Sequence, residues 1–221
     1  MMRNIFETGF YYLYLVFIIG LGIYLLIKKK NGLFALACII LGFGDAFHLI
    51  PRAIGLYTGT LDNPDATLAM WLGVGKLITS ITMTIFYILI YLFIFDKVKV
   101  KRNLYMDVAV LILLLVRVGL CALPQNEWLK NGNDVTYGIA RNVPFVLLGA
   151  LVVYFLFKYF RKVKYFKLMW LAVILSFGFY IPVVIWASSY SWVGMLMLPK
   201  TVCYMWIGFM GLFNAIKVKE E

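Results

Sequence analysis

Seven long apolar runs follow one another along the chain and leave little room for anything else. They cover residues 8–27, 33–56, 68–95, 104–123, 139–159, 168–187 and 192–214. Each has the roughly 20-residue length that crosses a ~30 Å hydrocarbon core as a helix. Short breakers separate them, among them Lys30-Asn31-Gly32, Asp62-Asn63-Pro64-Asp65, Asn131-Gly132-Asn133-Asp134 and Ser188-Ser189. A backbone in lipid must satisfy its own hydrogen bonds, so these runs are predicted to be helices. A β-barrel would need short alternating segments, which are lacking. No internal repeat of the kind that marks many transporters is present. The expected fold is all-α: a polytopic membrane protein, a seven-transmembrane-helix bundle, with residues 1–221 as a single transmembrane domain.

Composition points the same way. The chain is 64% hydrophobic and 14% charged, against about 45–50% and 25% for a soluble domain. The first run ends in Lys28-Lys29-Lys30 without a small-residue cleavage site, so it reads as a retained helix rather than a signal peptide. Cys38, Cys121 and Cys203 all fall inside apolar runs without metal-type spacing. They are expected to be buried free thiols.

A net charge of +11 would in a soluble chain suggest nucleic acid. Here the positions of the charges explain it, and no nucleic-acid partner is expected. Lys28, Lys29, Lys30, Lys97, Lys99, Lys101, Arg102, Lys158, Arg161, Lys162, Lys164, Lys167, Lys217 and Lys219 all fall on one side of the predicted bundle. They are 14 of the 21 basic residues. The other side carries Arg3 and Lys130. The positive-inside rule then places the N-terminus outside and the C-terminus in the cytoplasm. Compact loops and the absence of targeting signals fit a bacterial plasma membrane.

Five basic residues do not serve topology: Arg52, Lys76, Arg117, Arg141 and Lys200. Each lies in the predicted outer half of a different helix. A charge at the centre of a membrane helix costs about 2.5–3.5 kcal/mol on insertion scales, so it normally faces the protein interior and has a partner. Arg52 and Arg141 lie near helix ends, where snorkelling to the head groups is the alternative. Asp45 is the one acid clearly embedded beside them. So unbalanced a cluster calls for an anion from elsewhere, a phosphate or a carboxylate, which arginine suits through bidentate bonding.

Gly42-Phe43-Gly44-Asp45-Ala46-Phe47-His48-Leu49-Ile50-Pro51-Arg52 is the most informative segment. Asp45, His48 and Arg52 share one helical face by their spacing. Pro51 removes a donor and predicts a kink or a free carbonyl. An Asp45–His48 pair is a candidate oriented base or proton relay. The plainer alternative is a polar contact between helices, worth around 1 kcal/mol. On helix 3, Gly73, Lys76, Ser80 and Thr84 recur at helical spacing, as close packing would require. A Lys76-activated Ser80 is the chemical alternative.

The loop Leu123-Pro124-Gln125-Asn126-Glu127-Trp128 brings hydrogen-bonding groups and a second acid towards the cluster, and Arg141-Asn142-Val143-Pro144 opens helix 5. Pro182 and Pro199 add kinks, and Tyr180 and Tyr204 are placed near the same cavity. The expected ligand-binding set is therefore Arg52, Lys76, Ser80, Arg117, Asn126, Glu127, Arg141, Asn142, Lys200 and Tyr204. Asp45 and His48 form the candidate catalytic pair.

One histidine and no close acidic pair exclude a zinc hydrolase of the usual ligand set, and no metal or other cofactor is expected. No phosphate-binding loop of the Gly-x-x-x-x-Gly-Lys-Ser/Thr type occurs. Lys200 sits too near the outer end of helix 7 for a retinal Schiff base. Three functions fit what is left: an enzyme acting on an anionic lipid or lipid-linked substrate, a proton-coupled transporter of a small organic anion, and a ligand-binding sensor. The expected partners are membrane lipids and an anionic small molecule or lipid head group.

Overall fold

The computed structural model describes residues 2–132, 134–187 and 189–217. Asn133 and Ser188, expected in connections, lie outside the described residues, as does the tail beyond Lys217, with Lys219. So do the side chains of Met2, Arg3 and Ser191. Seven α-helices form the described chain: α1 (Met2–Ile27), α2 (Gly32–Thr58), α3 (Ala66–Val98), α4 (Leu104–Ala122), α5 (Val135–Tyr159), α6 (Met169–Trp186) and α7 (Met197–Lys217). A segment long and apolar enough to cross a membrane falls at each of the seven, and no strand occurs among the described residues. The protein is a multi-pass integral membrane protein.

Two boundaries differ most from expectation, each for a local reason. The first helix starts at Met2 rather than residue 8, because the polar residues Asn4 and Glu7 continue the helix and find partners on α2. The last α-helix starts at Met197, after a 3₁₀ segment at Ser191–Leu196. Pro199 falls in its first turn, where a missing N–H costs no helical bond.

The other ends follow familiar chemistry. Asp65, Asn103 and Asp134 cap α3, α4 and α5, their side-chain oxygens accepting from Leu68, Tyr105 and Tyr137 N–H groups. Such caps satisfy donors that the first turn leaves open. Gly59, at φ 73°, ends α2 in the left-handed region that glycine enters without steric cost. Lys30 donates to the Ala215 carbonyl and Asn31 to Asn214 Oδ1 at 2.7 Å. These bonds satisfy the end of α7 and fix it beside the α1–α2 connection.

Short connections make sequential helices antiparallel neighbours. The α2–α3 pair packs most intimately. A Cβ at Gly75 would collide with the Phe47 carbonyl and His48 Cα, and one at Gly44 with the Thr82 side chain. Thr79 Oγ1 donates to the Gly44 carbonyl at 2.9 Å. Helix α3 also meets α4 and α5, and α1 meets α7. Helix α4 is peripheral and buries only Val110, Arg117 and Cys121. Aromatic rings cluster within the interior, with Tyr87 against Phe86, Phe145 and Phe177. Outward-facing Leu13, Val16, Leu111, Leu115 and Phe157 are exposed, as expected where lipid is the solvent.

Candidate functional site

The connections α2–α3, α4–α5 and α6–α7 gather at one end of the bundle, opposite the lysine-rich connections. A cavity of ≈ 290 Å³ opens within this end. Its wall includes His48 and Arg52 from α2, Lys76 and Ser80 from α3, Arg117 from α4, Arg141 and Asn142 from α5, Tyr180 from α6 and Lys200 from α7. Five helices each deliver one cation to the same space. Arg52 and Arg141 turn inward rather than reaching separately for head groups.

The three guanidiniums are held by the protein itself. Arg52 donates through Nε and Nη2 to Glu7 Oε1 at 3.1 and 3.0 Å, and through Nε to the Tyr11 hydroxyl at 3.0 Å. Tyr11 in turn donates to Glu7 Oε1. Arg117 is only 2% exposed. Its Nε donates to the Ser80 carbonyl at 3.1 Å, and its Nη1 to the Arg141 carbonyl at 2.8 Å and Asn142 Oδ1 at 3.1 Å. Its guanidinium carbon lies 4.1 Å from the centre of the Phe145 ring. Arg141 donates to Asn126 Oδ1 at 2.6 Å and lies 4.6 Å over Trp128. Only Arg52 is neutralised by a carboxylate; the partners of Arg117 and Arg141 are neutral.

The two lysines differ from the arginines. Lys76 has no carboxylate or hydrogen-bond acceptor among the described residues, and the charges acting on it are Arg141 and Arg52. Lys200 is buried, with its ammonium 4.6 Å from the centre of the Tyr180 ring and 5.5 Å from that of Tyr204. Asp45 attracts it from behind the wall. His48 Nδ1 is buried without a hydrogen-bond partner, and Arg52, Lys76 and Lys200 surround the ring with positive charge. A buried polar atom left unpaired normally costs about 1–3 kcal/mol, so such atoms ask for an explanation.

Several expected site residues sit elsewhere. Asp45 and His48 do not form the anticipated pair. Asp45 Oδ2 accepts from the Tyr14 hydroxyl at 2.6 Å, and Asp45 is not in the cavity wall. Three positions along a helix place both on one broad face, yet Asp45 lies one turn deeper and meets α1. Glu127 is exposed and pairs with Lys130 at 3.8 Å, outside the cavity. Asn126 is buried behind the wall, where Nδ2 donates to the Leu120 and Leu123 carbonyls at 2.9 Å while Oδ1 holds Arg141. Tyr204 lies beneath Lys200, its hydroxyl 3.4 Å from that of Tyr87. Ser80 lines the cavity, but its hydroxyl donates to the Lys76 carbonyl at 2.8 Å, so it serves the helix.

Residues missed in the sequence complete the picture. Glu7 is only 4% exposed, so Asp45 is not the sole embedded acid. The spacing Glu7, Tyr11, Tyr14 places three polar groups on one face of α1, a signal hidden by starting that helix at residue 8. Asp134, capping α5, also lines the cavity. The five cations thus face three carboxylates, Glu7, Asp45 and Asp134, and retain an excess of two. Among the described residues no group of acidic, histidine or cysteine side chains forms a metal site.

The fold and this cavity define the class: an integral membrane protein of seven helices with a basic cavity inside the bundle. Comparison with known families, with curated proteins and with solved structures returned no match. The functional reading rests on the cavity itself.

Proposed function

We propose that the cavity binds an anion, the phosphate or carboxylate group of a small molecule or lipid. The observation that carries this reading is the set of unpartnered groups. Among the described residues Lys76 has no acceptor, and Lys200 faces two aromatic rings without a hydrogen-bond acceptor, with Asp45 attracting it from behind the wall. An anion among them would accept from both ammoniums, and such charge-assisted bonds are about twice as strong as neutral ones. Arg117 and Arg141 are pinned by neutral groups, so they add fixed positive potential without moving. The excess of two charges suits a phosphate dianion or a carboxylate accompanied by a second acceptor.

The positive-inside distribution of basic residues supports an orientation in which this end faces away from the cytoplasm, in the plasma membrane of a bacterium. The ligand would then enter from outside or from the outer leaflet. An acid–base enzyme built on Asp45 and His48 loses its geometric support, because Tyr14 holds Asp45 away from His48. Transport keeps one supporting feature. Below Lys200 a buried polar path continues through Tyr204 and Tyr87 to Ser176, the last two hydroxyls 3.1 Å apart.

The test is binding of radiolabelled inorganic phosphate, with acetate as competitor, to protein in a neutral detergent at fixed ionic strength. Saturable binding that weakens about tenfold in Lys76→Gln and in Lys200→Gln, the loss of one charge-assisted bond each, is expected. Absence of saturable binding, or binding indifferent to both substitutions, overturns the reading. Proton-driven anion uptake into proteoliposomes would add transport to it.

A further inference from the structure

A second space lies directly behind the cavity wall. Between α5 and α6 runs a groove of ≈ 260 Å³, faced by Val143, Val146 and Leu147 on one side and Ile181 and Ile185 on the other. Asn142, Tyr180 and Val184 line both this groove and the basic cavity. One polar space and one apolar space therefore share a single wall. A larger groove between α2 and α3, ≈ 700 Å³, has no lining residue in common with the cavity.

The shared wall is built to divide unlike surroundings. The Tyr180 ring holds the Lys200 ammonium at 4.6 Å on the cavity side and faces the groove on the other. Its hydroxyl closes the wall by donating to Asn142 Oδ1 at 2.8 Å. That oxygen also accepts from Arg117 Nη1 at 3.1 Å. Turning Tyr180 aside would therefore leave Asn142 satisfied and would join the two spaces. Val143, Leu147 and Ile181 are exposed at the groove, so it opens sideways to the lipid.

We propose that the ligand is an anionic lipid. Its phosphate or carboxylate head lies among Lys76, Lys200 and His48. With Tyr180 turned aside, its hydrocarbon chain passes the Asn142–Tyr180 wall and lies in the α5–α6 groove. This rests on the anion-binding reading of the cavity and names the class of anion. A free small anion uses only the basic half of the arrangement. A lipid uses both halves, and from a lateral opening its head reaches the charges while its chain stays in an apolar setting.

The probes are methyl phosphate and dodecyl phosphate, which share a head group, measured by equilibrium binding to protein in a neutral detergent. Burial of the chain is expected to make dodecyl phosphate bind at least about tenfold more tightly. Val143→Phe and Ile181→Phe fill the groove from exposed positions and leave the charges in place. Each should remove about tenfold from dodecyl phosphate affinity and leave methyl phosphate binding unchanged, which also reports that the variant is folded. Leu115→Phe, on the exposed face of α4, should change neither affinity. If both phosphates bind equally to the unaltered protein, or if groove filling spares dodecyl phosphate, the lipid assignment falls and the anion site stands. If neither phosphate binds, both fall.

Discussion

Arg52 of α2 and Glu7 of α1 meet at 3.0 Å at the edge of the cavity, and the Tyr11 hydroxyl completes their contact. This pair joins two helices through charges that lipid cannot solvate. Removing one member of a buried pair leaves the other uncompensated. For Glu7→Gln the expected loss of folding stability is on the order of 3 kcal/mol, at the lower end for buried pairs because Arg52 is partly exposed. Thermal unfolding in detergent measures it. In the double variant Glu7→Gln, Arg52→Gln the losses should be less than additive. Strict additivity would show that the pair contributes nothing to the bundle.

The arginines and lysines of the cavity should separate in their effects. Arg117 serves the Ser80 and Arg141 carbonyls, Asn142 and the Phe145 face at once. One ammonium cannot reproduce that planar fork, so Arg117→Lys is expected to cost about 2–3 kcal/mol although charge is kept. Lys76→Gln removes a charge that has no partner among the described residues and relieves its repulsion from Arg141 and Arg52. Stability should stay the same or rise, while phosphate binding falls. A Lys76→Gln protein that unfolds at markedly lower temperature would assign Lys76 to the scaffold instead.

The two halves of this description were not equally legible in the sequence. Hydrophobic runs at membrane length are a strong periodic signal, and the seven helices lie where those runs lie. The depth of each cation along its helix was readable too, and Arg52, Lys76, Arg117, Arg141 and Lys200 do converge. Rotation about each helix axis was harder to read. Asp45 and His48 sit three residues apart, yet that spacing leaves room for Asp45 to turn towards Tyr14 on α1. Glu127 itself joins two 3₁₀ turns at φ 44°, where side-chain direction follows local backbone geometry that no periodicity encodes. Glu7 was missed because a hydropathy run begins only where charge ends, and a helix can continue past that point when its charges find partners. The groove shared with Tyr180 and Asn142 depends on how α5 and α6 pack, a relation between distant residues that has no local signature.

Asp45 offers a direct contrast between binding and acid–base chemistry. In Asp45→Asn the amide oxygen can still accept from Tyr14, so the α1–α2 contact is kept. The carboxylate that attracts Lys200 is lost. With the positive excess raised by one, anion affinity should increase, by about threefold for a charge acting from behind the wall. The measurement is phosphate binding in the variant against the unaltered protein. Unchanged binding would show that the Asp45 charge does not act on the site, and weaker binding in a folded variant would place Asp45 in direct service to the ligand.

Orientation can be tested without engineering a cysteine-free background. Cys38, Cys121 and Cys203 are all buried, so an impermeant maleimide should leave them alone. Asn63 in the α2–α3 connection and Lys101 in the α3–α4 connection are both exposed, at opposite ends of the bundle. With the lysine-rich end in the cytoplasm, Asn63→Cys should label in intact cells and Lys101→Cys only after permeabilisation. The reverse pattern would invert the bundle and turn the basic cavity to the cytoplasm. Its anion would then come from the inner leaflet or the cell interior, and the ligand search would move there with it.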